Sequence, residues 1–132
     1  MKKLLILTTL LFSVMFSSPS YSEWTKVSEN VHRTIFYVDF DRIRKHDGYV
    51  YFWSLSDYLK PDKDGDLSEK VYNQGDCKLF RYKYLGGSFH KEPMGRSSGD
   101  SPPIPESMKG WYYPPPNTAM ENILKTVCDR VK

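Results

Sequence analysis

The sequence predicts an α+β fold, with an antiparallel sheet of about five or six strands and one C-terminal helix packed on one face and tethered by a disulfide. Three observations lead to this prediction. Several short segments alternate between apolar and polar residues and are separated by turn-forming Gly, Asn and Asp. The last segment repeats its apolar residues with a helical period. The chain has two cysteines and begins like an exported protein, in which cysteines are usually joined.

The N-terminal segment, residues 1–22, has the pattern of a cleaved signal peptide. Two lysines precede an apolar run over residues 4–16, which is shorter than the roughly 20 residues that span a membrane. Small residues, Ser20 and Ser22, then occupy the −3 and −1 positions of a cleavage site, so we expect the exported chain to begin at Glu23. An uncleaved membrane anchor is the alternative, which the polar segment before the site disfavours.

Charge and composition limit the function of the exported chain. The formal net charge of +3 falls to +1 when the two lysines of the signal peptide are removed, because that segment contains no acid. A nearly neutral chain is not typical of nucleic-acid binding, so no nucleic-acid partner is predicted. Aromatic residues make up 15% of the sequence, which favours sheet structure and contact surfaces. Residues 23–132 have the length of a single domain, with no integral membrane span expected after cleavage.

The first elements are predicted strands. Residues 24–27 and 31–40 alternate on either side of a short turn, which indicates an antiparallel hairpin. Residues 41–45 are predicted to form a charged turn or a short helical turn, and His46-Asp47-Gly48 supplies a tight reversal, since Asp-Gly favours positive φ. The segment 49–58 is the strongest strand prediction, and its first half is apolar on both faces.

Shorter elements follow. The segment 60–66 is predicted to be a solvated loop. Gly-, Pro- and Ser-rich residues 92–109 form a long surface loop. Between and after these loops we predict a short strand over 68–72, a turn over 73–76, a strand over 77–85, a turn at 86–87, an edge strand over 88–91 and a last strand over 111–113.

The C-terminal helix has clear sequence signals. Thr118 and Glu121 form a capping box, and the helix is predicted to continue to about Arg130. Its apolar stripe contains Cys128, so a bond to Cys77 would attach the helix to the sheet and close a loop of about 50 residues, worth roughly 4 kcal/mol. Free or metal-binding thiols are the alternative. The stripe consists of Ile123, Leu124, Val127, Cys128 and Val131.

Motifs for catalysis or metal binding are lacking in the sequence. The acidic run of Asp62, Asp64 and Asp66 invites comparison with a calcium loop, but the residues that follow do not match the EF-hand pattern. A solvated loop accounts for it better. We therefore predict no enzyme activity, no catalytic residue, no metal and no cofactor. The histidines also lack ligand spacing; they are His32, His46 and His90.

Two aromatic stripes are the candidate partner-binding residues. One contains Tyr49, Tyr51 and Trp53, and the other contains Tyr82 and Tyr84. Because one helix covers one sheet face, the opposite aromatic face is expected to bind a partner or a second copy of the chain, unless the 92–109 loop covers it.

Basic residues form a second candidate patch. They would suit an acidic polysaccharide if they met in space, but an ordinary charged surface is the interpretation that the sequence favours. These residues are Arg42, Arg44, Lys45, Arg81 and Lys83.

The order of these elements resembles the surface-adhesin protein E family of Gram-negative bacteria. The likeness rests on the signal peptide and on short segments in a fixed order. These are Trp24, the segment 36–39 followed by 42–44, the aromatic strand from Val50 to Tyr58, Asp76-Cys77, Pro93-Met94-Gly95, Trp111-x-Tyr113-x-Pro115, and a final helix carrying Cys128.

The resemblance implies an antiparallel sheet with a disulfide-tethered C-terminal helix. It also implies surface display, dimerisation and binding of host matrix proteins, but no catalytic residues. No lipid-attachment cysteine follows the signal peptide, which leaves the final location open among the periplasm, the outer-membrane surface and the extracellular space. We expect an exported, non-enzymatic, adhesin-like protein of the cell envelope. The alternative is a periplasmic accessory or inhibitor protein that binds another envelope protein.

Overall fold

The structure, a computed structural model, describes residues 23–132. These residues form six antiparallel strands and one α-helix. The predicted signal peptide lies outside the described residues. The sheet has the strand order β1-β2-β4-β5-β6, and β3 pairs with β4 beyond the end of β2. The elements are β1 (Thr25–Glu29), β2 (Ile35–Val38), β3 (Arg44–His46), β4 (Tyr49–Asp57), β5 (Ser68–Asp76), β6 (Arg81–His90) and α1 (Ala119–Arg130).

Helix α1 covers one face of the sheet, as the sequence predicts. The Thr118 hydroxyl accepts a hydrogen bond from the Glu121 N–H at 3.3 Å, which caps the first turn. The apolar stripe of the helix packs against strands β2 and β4 and forms the core. The fully buried members of this core are Val38, Phe52, Ile123, Leu124 and Val127.

The two faces of β4 have different surroundings. Val50 and Phe52 are buried beneath α1, and we call this side of the sheet the helix face. Since successive side chains of a strand point to opposite sides, Tyr49, Tyr51 and Trp53 lie on the other side, which we call the open face. These three side chains are only half-buried.

A disulfide joins Cys77 to Cys128, which confirms the predicted tether. Cys77 lies in the turn between β5 and β6, however, and not on a strand. The bond therefore fixes one end of the sheet, at this turn, to the last turns of α1.

Two predicted turns are wrong, because both segments lie inside long strands. Residues 73–76 continue β5, and Gly75 fits there because a Cβ would lie 2.8 Å from Val50 Cγ2 and 3.0 Å from Leu124 Cδ1. Residues 86–87 continue β6, where a Cβ on Gly87 would lie 2.6 Å from the Lys70 carbonyl oxygen. These glycines permit close packing and do not reverse the chain.

The predicted long loop over residues 92–109 is confirmed, and it contains two short 3₁₀ turns. The first turn, Pro93–Gly95, packs on Leu55 and Lys70 at one end of the sheet. The expected strand over 111–113 is reduced to one bridge between Tyr112 and Tyr82. The sequence indicates a charged turn or a short helical turn over residues 41–45, and the structure has a 3₁₀ turn over Phe40–Arg42 followed by the short strand β3.

Candidate binding surface

An aromatic ribbon crosses the open face. Trp53 lies next to Tyr72 of β5, with ring centroids 4.9 Å apart, and Tyr51 lies 6.3 Å from the same ring. Tyr49 contacts Trp111 at 5.5 Å, at the edge of the sheet beyond β6. The rings support one another laterally, so the surface is fixed before any partner arrives. Each of the five side chains is half-buried.

Cationic groups lie over these rings. The Arg81 guanidinium and the Lys83 ammonium lie 4.2 and 4.6 Å from the centroid of the Trp111 ring. Arg44 lies over Tyr51, and Arg42 lies over Trp53, each at 5.9 Å. Contact with the negative face of an aromatic ring stabilises a cation and restricts its position.

One cross-strand row links the two cationic edges. Arg44 of β3 pairs with Tyr51, which pairs with Gln74 of β5, which pairs with Lys83 of β6. Four adjacent strands span roughly 14 Å, so the Arg44 and Lys83 backbones lie about that far apart. Within the row, Gln74 Nε2 donates to the Tyr51 hydroxyl at 3.1 Å. Arg44 also donates to the Tyr72 hydroxyl at 2.9 Å.

The charges on this face are only partly compensated. Arg42 pairs with the buried Asp39 at 2.6 Å, and Arg81 pairs with the buried Asp76 at 2.9 Å. Within residues 23–132, neither Arg44 nor Lys83 forms an ion pair. The open face therefore presents positive charge, although residues 23–132 as a whole carry a formal net charge of only +1.

The Asp76 carboxylate is the best-defined charged group at this surface. Burial alone would raise its pKa, but hydrogen bonds from the Arg81 side chain and from the Leu79 and Lys78 N–H groups outweigh burial and lower the pKa. Asp76 is thus ionised at neutral pH and fixes Arg81 beside Trp111.

The two predicted aromatic stripes lie on opposite faces. Tyr82 and Tyr84 belong to the helix face, where they form a cluster with Tyr112 at centroid distances of 5.6 to 5.8 Å. Tyr82 is 7% exposed, and burial raises the pKa of both Tyr82 and Tyr84. The loop segment 102–105 lines a groove beside Tyr84, so the long loop crosses this stripe. The first stripe alone belongs to the open face, and its binding role stays a prediction.

The basic patch is assembled in part. Four of its five members lie over rings of the open face, whereas Lys45 points toward the end of α1, with Nζ 3.4 Å from the Val131 carbonyl oxygen.

The sequence did not single out three members of the surface, because their neighbours become apparent only once the strands are in register. The two-residue period of an extended β5 is the one signal that places two of them, Tyr72 and Gln74, on a common face. The three are Tyr72, Gln74 and Trp111.

The acidic run forms a compact turn in the β4–β5 loop. The Asp62 carboxylate accepts from the N–H groups of Asp64 and Asp66 at 3.0 and 2.8 Å. The three carboxylates lie within 4.8 Å of one another. The Lys91 ammonium donates to the Asp66 carboxylate at 2.9 Å and to the Asp64 carbonyl oxygen at 2.5 Å. A lysine of this chain therefore supplies positive charge to the turn.

A serine–histidine pair lies near the end of β6. Ser88 Oγ and His90 Nε2 are 2.7 Å apart, and His90 Nδ1 lies 3.2 Å from the Ser97 carbonyl oxygen. His90 is buried, and a Cβ on Gly99 would lie 2.5 Å from its ring. Both ring nitrogens are occupied within the fold, so this histidine fastens the long loop to the sheet.

Comparison with known proteins gives a consistent result. The family model for surface-adhesin protein E matches residues 24–129. No curated protein matches the sequence significantly. Among the described residues, no helix has both the length and the apolar character needed to cross a membrane.

Solved structures with the same fold come from Haemophilus influenzae. Crystal form II of its protein E superposes with a TM-score of 0.65 at 18% identity, covering 86% of this chain and 94% of that chain. A second structure of protein E gives a TM-score of 0.62 at 18% identity, covering 84% and 87%. Protein E from a non-typeable strain gives 0.60 at 17% identity, covering 85% and 79%. At this identity the likeness establishes the fold.

Proposed function

Because the chain belongs to the surface-adhesin protein E family, we propose that it is an exported binding protein of the cell envelope whose open face contacts a protein partner. The partner would be a host matrix protein or another envelope protein. The proposal includes removal of residues 1–22 during export, so that residues 23–132 act as one binding domain. The family is one of adhesins, and no catalytic role is proposed.

The observation that carries this proposal is the composition of the open face. Aromatic residues and arginine are enriched at the contact centres of protein interfaces, and this face places Tyr51, Trp53 and Arg44 next to one another. Its side chains are already held by ring contacts and hydrogen bonds, so less conformational entropy would be lost on binding.

A charge-reversal pair tests the surface. The exported protein is applied to an immobilised host extracellular matrix, and the dissociation constant is compared with those of Arg44→Glu and Lys125→Glu. Both residues are exposed, but Arg44 lies on the open face and Lys125 lies on α1. We expect Arg44→Glu to weaken binding at least tenfold and Lys125→Glu to leave it within about twofold. Equal weakening by both variants would mean that net charge, and not this face, governs binding.

The alternative is that the open face binds a second copy of the chain and forms a dimer interface. Sedimentation of the purified protein distinguishes this case, because Arg44→Glu would then dissociate a dimer and leave adhesion to the matrix unchanged. The proposal predicts the opposite pattern, in which adhesion weakens and the sedimentation coefficient stays the same.

The cellular location is tested separately by protease treatment of intact cells. A surface adhesin is removed by protease that does not enter the cell, whereas a periplasmic protein is protected until the outer membrane is opened. Protection in intact cells would refute surface display. It would favour the accessory-protein alternative, with an envelope protein as the partner of the open face.

A further inference from the structure

We infer that the ligand of the open face is a linear sulfated polysaccharide of the glycosaminoglycan class, held by the cross-strand row from Arg44 to Lys83. This inference rests on the proposed function and refines it, because it places the contact of the same face on polysaccharide chains that are attached to a host matrix protein and not on the protein itself. A host matrix contains such polymers attached to its proteins, so the two proposals concern neighbouring molecules and need separate tests.

The placement of positive charge supports an elongated anionic ligand. Arg44 and Lys83 lie at the two ends of a row that crosses four strands, and neither has an ion pair within residues 23–132. The row spans roughly 14 Å, which suits a polymer that carries anionic groups on successive sugar units. A single small anion would contact only one end of it.

Hydrogen-bond donors line the space between the two cations. The Tyr51 hydroxyl accepts from Gln74, and the Tyr72 hydroxyl accepts from Arg44. Since a phenolic hydroxyl both accepts and donates, each retains its own proton for an outside acceptor. Sulfate and carboxylate groups only accept hydrogen bonds, so this row of donors complements them.

The cation–aromatic contacts favour a polysaccharide over single-stranded nucleic acid. Nucleic-acid bases bind by stacking on open aromatic rings. Here a guanidinium or ammonium group already lies over Tyr51, Trp53 and Trp111. With these groups over them, the rings do not offer open stacking platforms. Arginine held in this way presents its planar donors to an oxyanion at low entropic cost.

The test is affinity for immobilised heparin, measured with the exported protein at low and physiological salt. The double variant Arg44→Gln/Lys83→Gln removes both ends of the row. The control Lys60→Gln/Lys125→Gln removes the same charge from exposed positions in the β4–β5 loop and on α1. Thermal unfolding of all three proteins verifies that they are folded.

We expect the open-face double variant to bind heparin about tenfold or more weakly, the order of change that lost charge-assisted hydrogen bonds produce. The control variant should bind within about twofold of the unmodified protein. Desulfated heparin should bind weakly to all three. Equal loss in both variants, or equal binding of desulfated heparin, would overturn the inference.

Two further probes separate competing ligands. Tighter binding of an oligothymidylate than of heparin would assign the face to nucleic acid and overturn the inference. Lyases can also be used to strip glycosaminoglycans from the matrix. The inference would be overturned if the protein bound this stripped matrix with undiminished affinity and with the same dependence on Arg44. That last result would leave the proposed function standing, whereas matrix binding that does not depend on any residue of the open face would refute both.

Discussion

Substitution of Gly75 by alanine tests which face of the sheet the helix covers. The added Cβ would lie 2.8 Å from Val50 Cγ2, 3.0 Å from Leu124 Cδ1 and 3.3 Å from Phe52 Cε1. All three neighbours are buried, and the valine is branched at Cβ and therefore stiff. Overpacking of this kind costs about 1–3 kcal/mol.

The net effect is smaller, because alanine restricts the unfolded chain more than glycine does. That gain is roughly 0.4–1 kcal/mol, which leaves a destabilisation of about 1–2 kcal/mol. For a domain of this size the melting temperature should fall by roughly 4–8 °C.

Gly86→Ala is the matched control. It makes the same change in the adjacent strand, but its Cβ would meet no atom within 4 Å. We expect this variant to be unchanged or stabilised by up to about 1 kcal/mol. Chemical denaturation of both variants measures the two free energies. If Gly75→Ala were as stable as Gly86→Ala, α1 would not pack on this side of β5, and the assignment of the open face would be wrong.

Three other perturbations have defined outcomes. Replacing Cys77 and Cys128 together by alanine should cost about 4 kcal/mol, since the bond spans 51 residues; a denaturation midpoint equal to that of the oxidised protein would contradict this. Because the pKa of Asp76 is lowered in the folded state, its stabilisation is complete above the unfolded value of about 3.9 and disappears as the pH falls through the folded value. In Asp76→Asn the free energy of unfolding should therefore depend less on pH in that range. An unchanged dependence of this free energy on pH would show that the bond from Asp76 to Arg81 contributes little to stability. Thr118→Ala removes the cap of α1 and should cost about 1 kcal/mol, measured by urea denaturation; no change would indicate that the first helical turn is frayed.

Local signals account for the parts of the fold that the sequence predicts well. The capping box, the apolar stripe of α1 and the strand 49–58 each depend on residues close together in the chain. The disulfide follows from export and from the presence of two cysteines. None of these requires knowledge of which strands are neighbours.

The wrong turns have a tertiary cause. Asn, Gly and Asp at positions 73–76 favour a turn by local preference, but Asn73 is buried and donates to the Ser54 hydroxyl at 3.0 Å. A Cβ on Gly75 would lie 3.0 Å from Leu124 Cδ1 of α1, and Gly87 lies against the Lys70 carbonyl oxygen. Packing between elements that are far apart in the sequence determines the extended backbone conformation at these positions. A single sequence does not reveal that packing.

The candidate surface was predictable only in part for a similar reason. Alternation places Tyr49, Tyr51 and Trp53 on one face of a strand without further information. The meeting of Arg44 with Lys83 on that face depends on the register of four strands. The sequence therefore favoured an ordinary charged surface, whereas the structure gathers the cations over the aromatic rings.

The binding role of the open face is tested by comparing Tyr51→Ala with Tyr84→Ala in binding to an immobilised host matrix. The substitutions are chemically identical, both tyrosines are half-buried, and they lie on opposite faces of the sheet. Thermal unfolding first verifies that both variants are folded at the temperature of the assay. If the open face binds the matrix, Tyr51→Ala weakens binding at least tenfold while Tyr84→Ala binds like the unmodified protein. Loss of binding in Tyr84→Ala, with binding retained in Tyr51→Ala, would place the contact surface on the helix face and not on the open face.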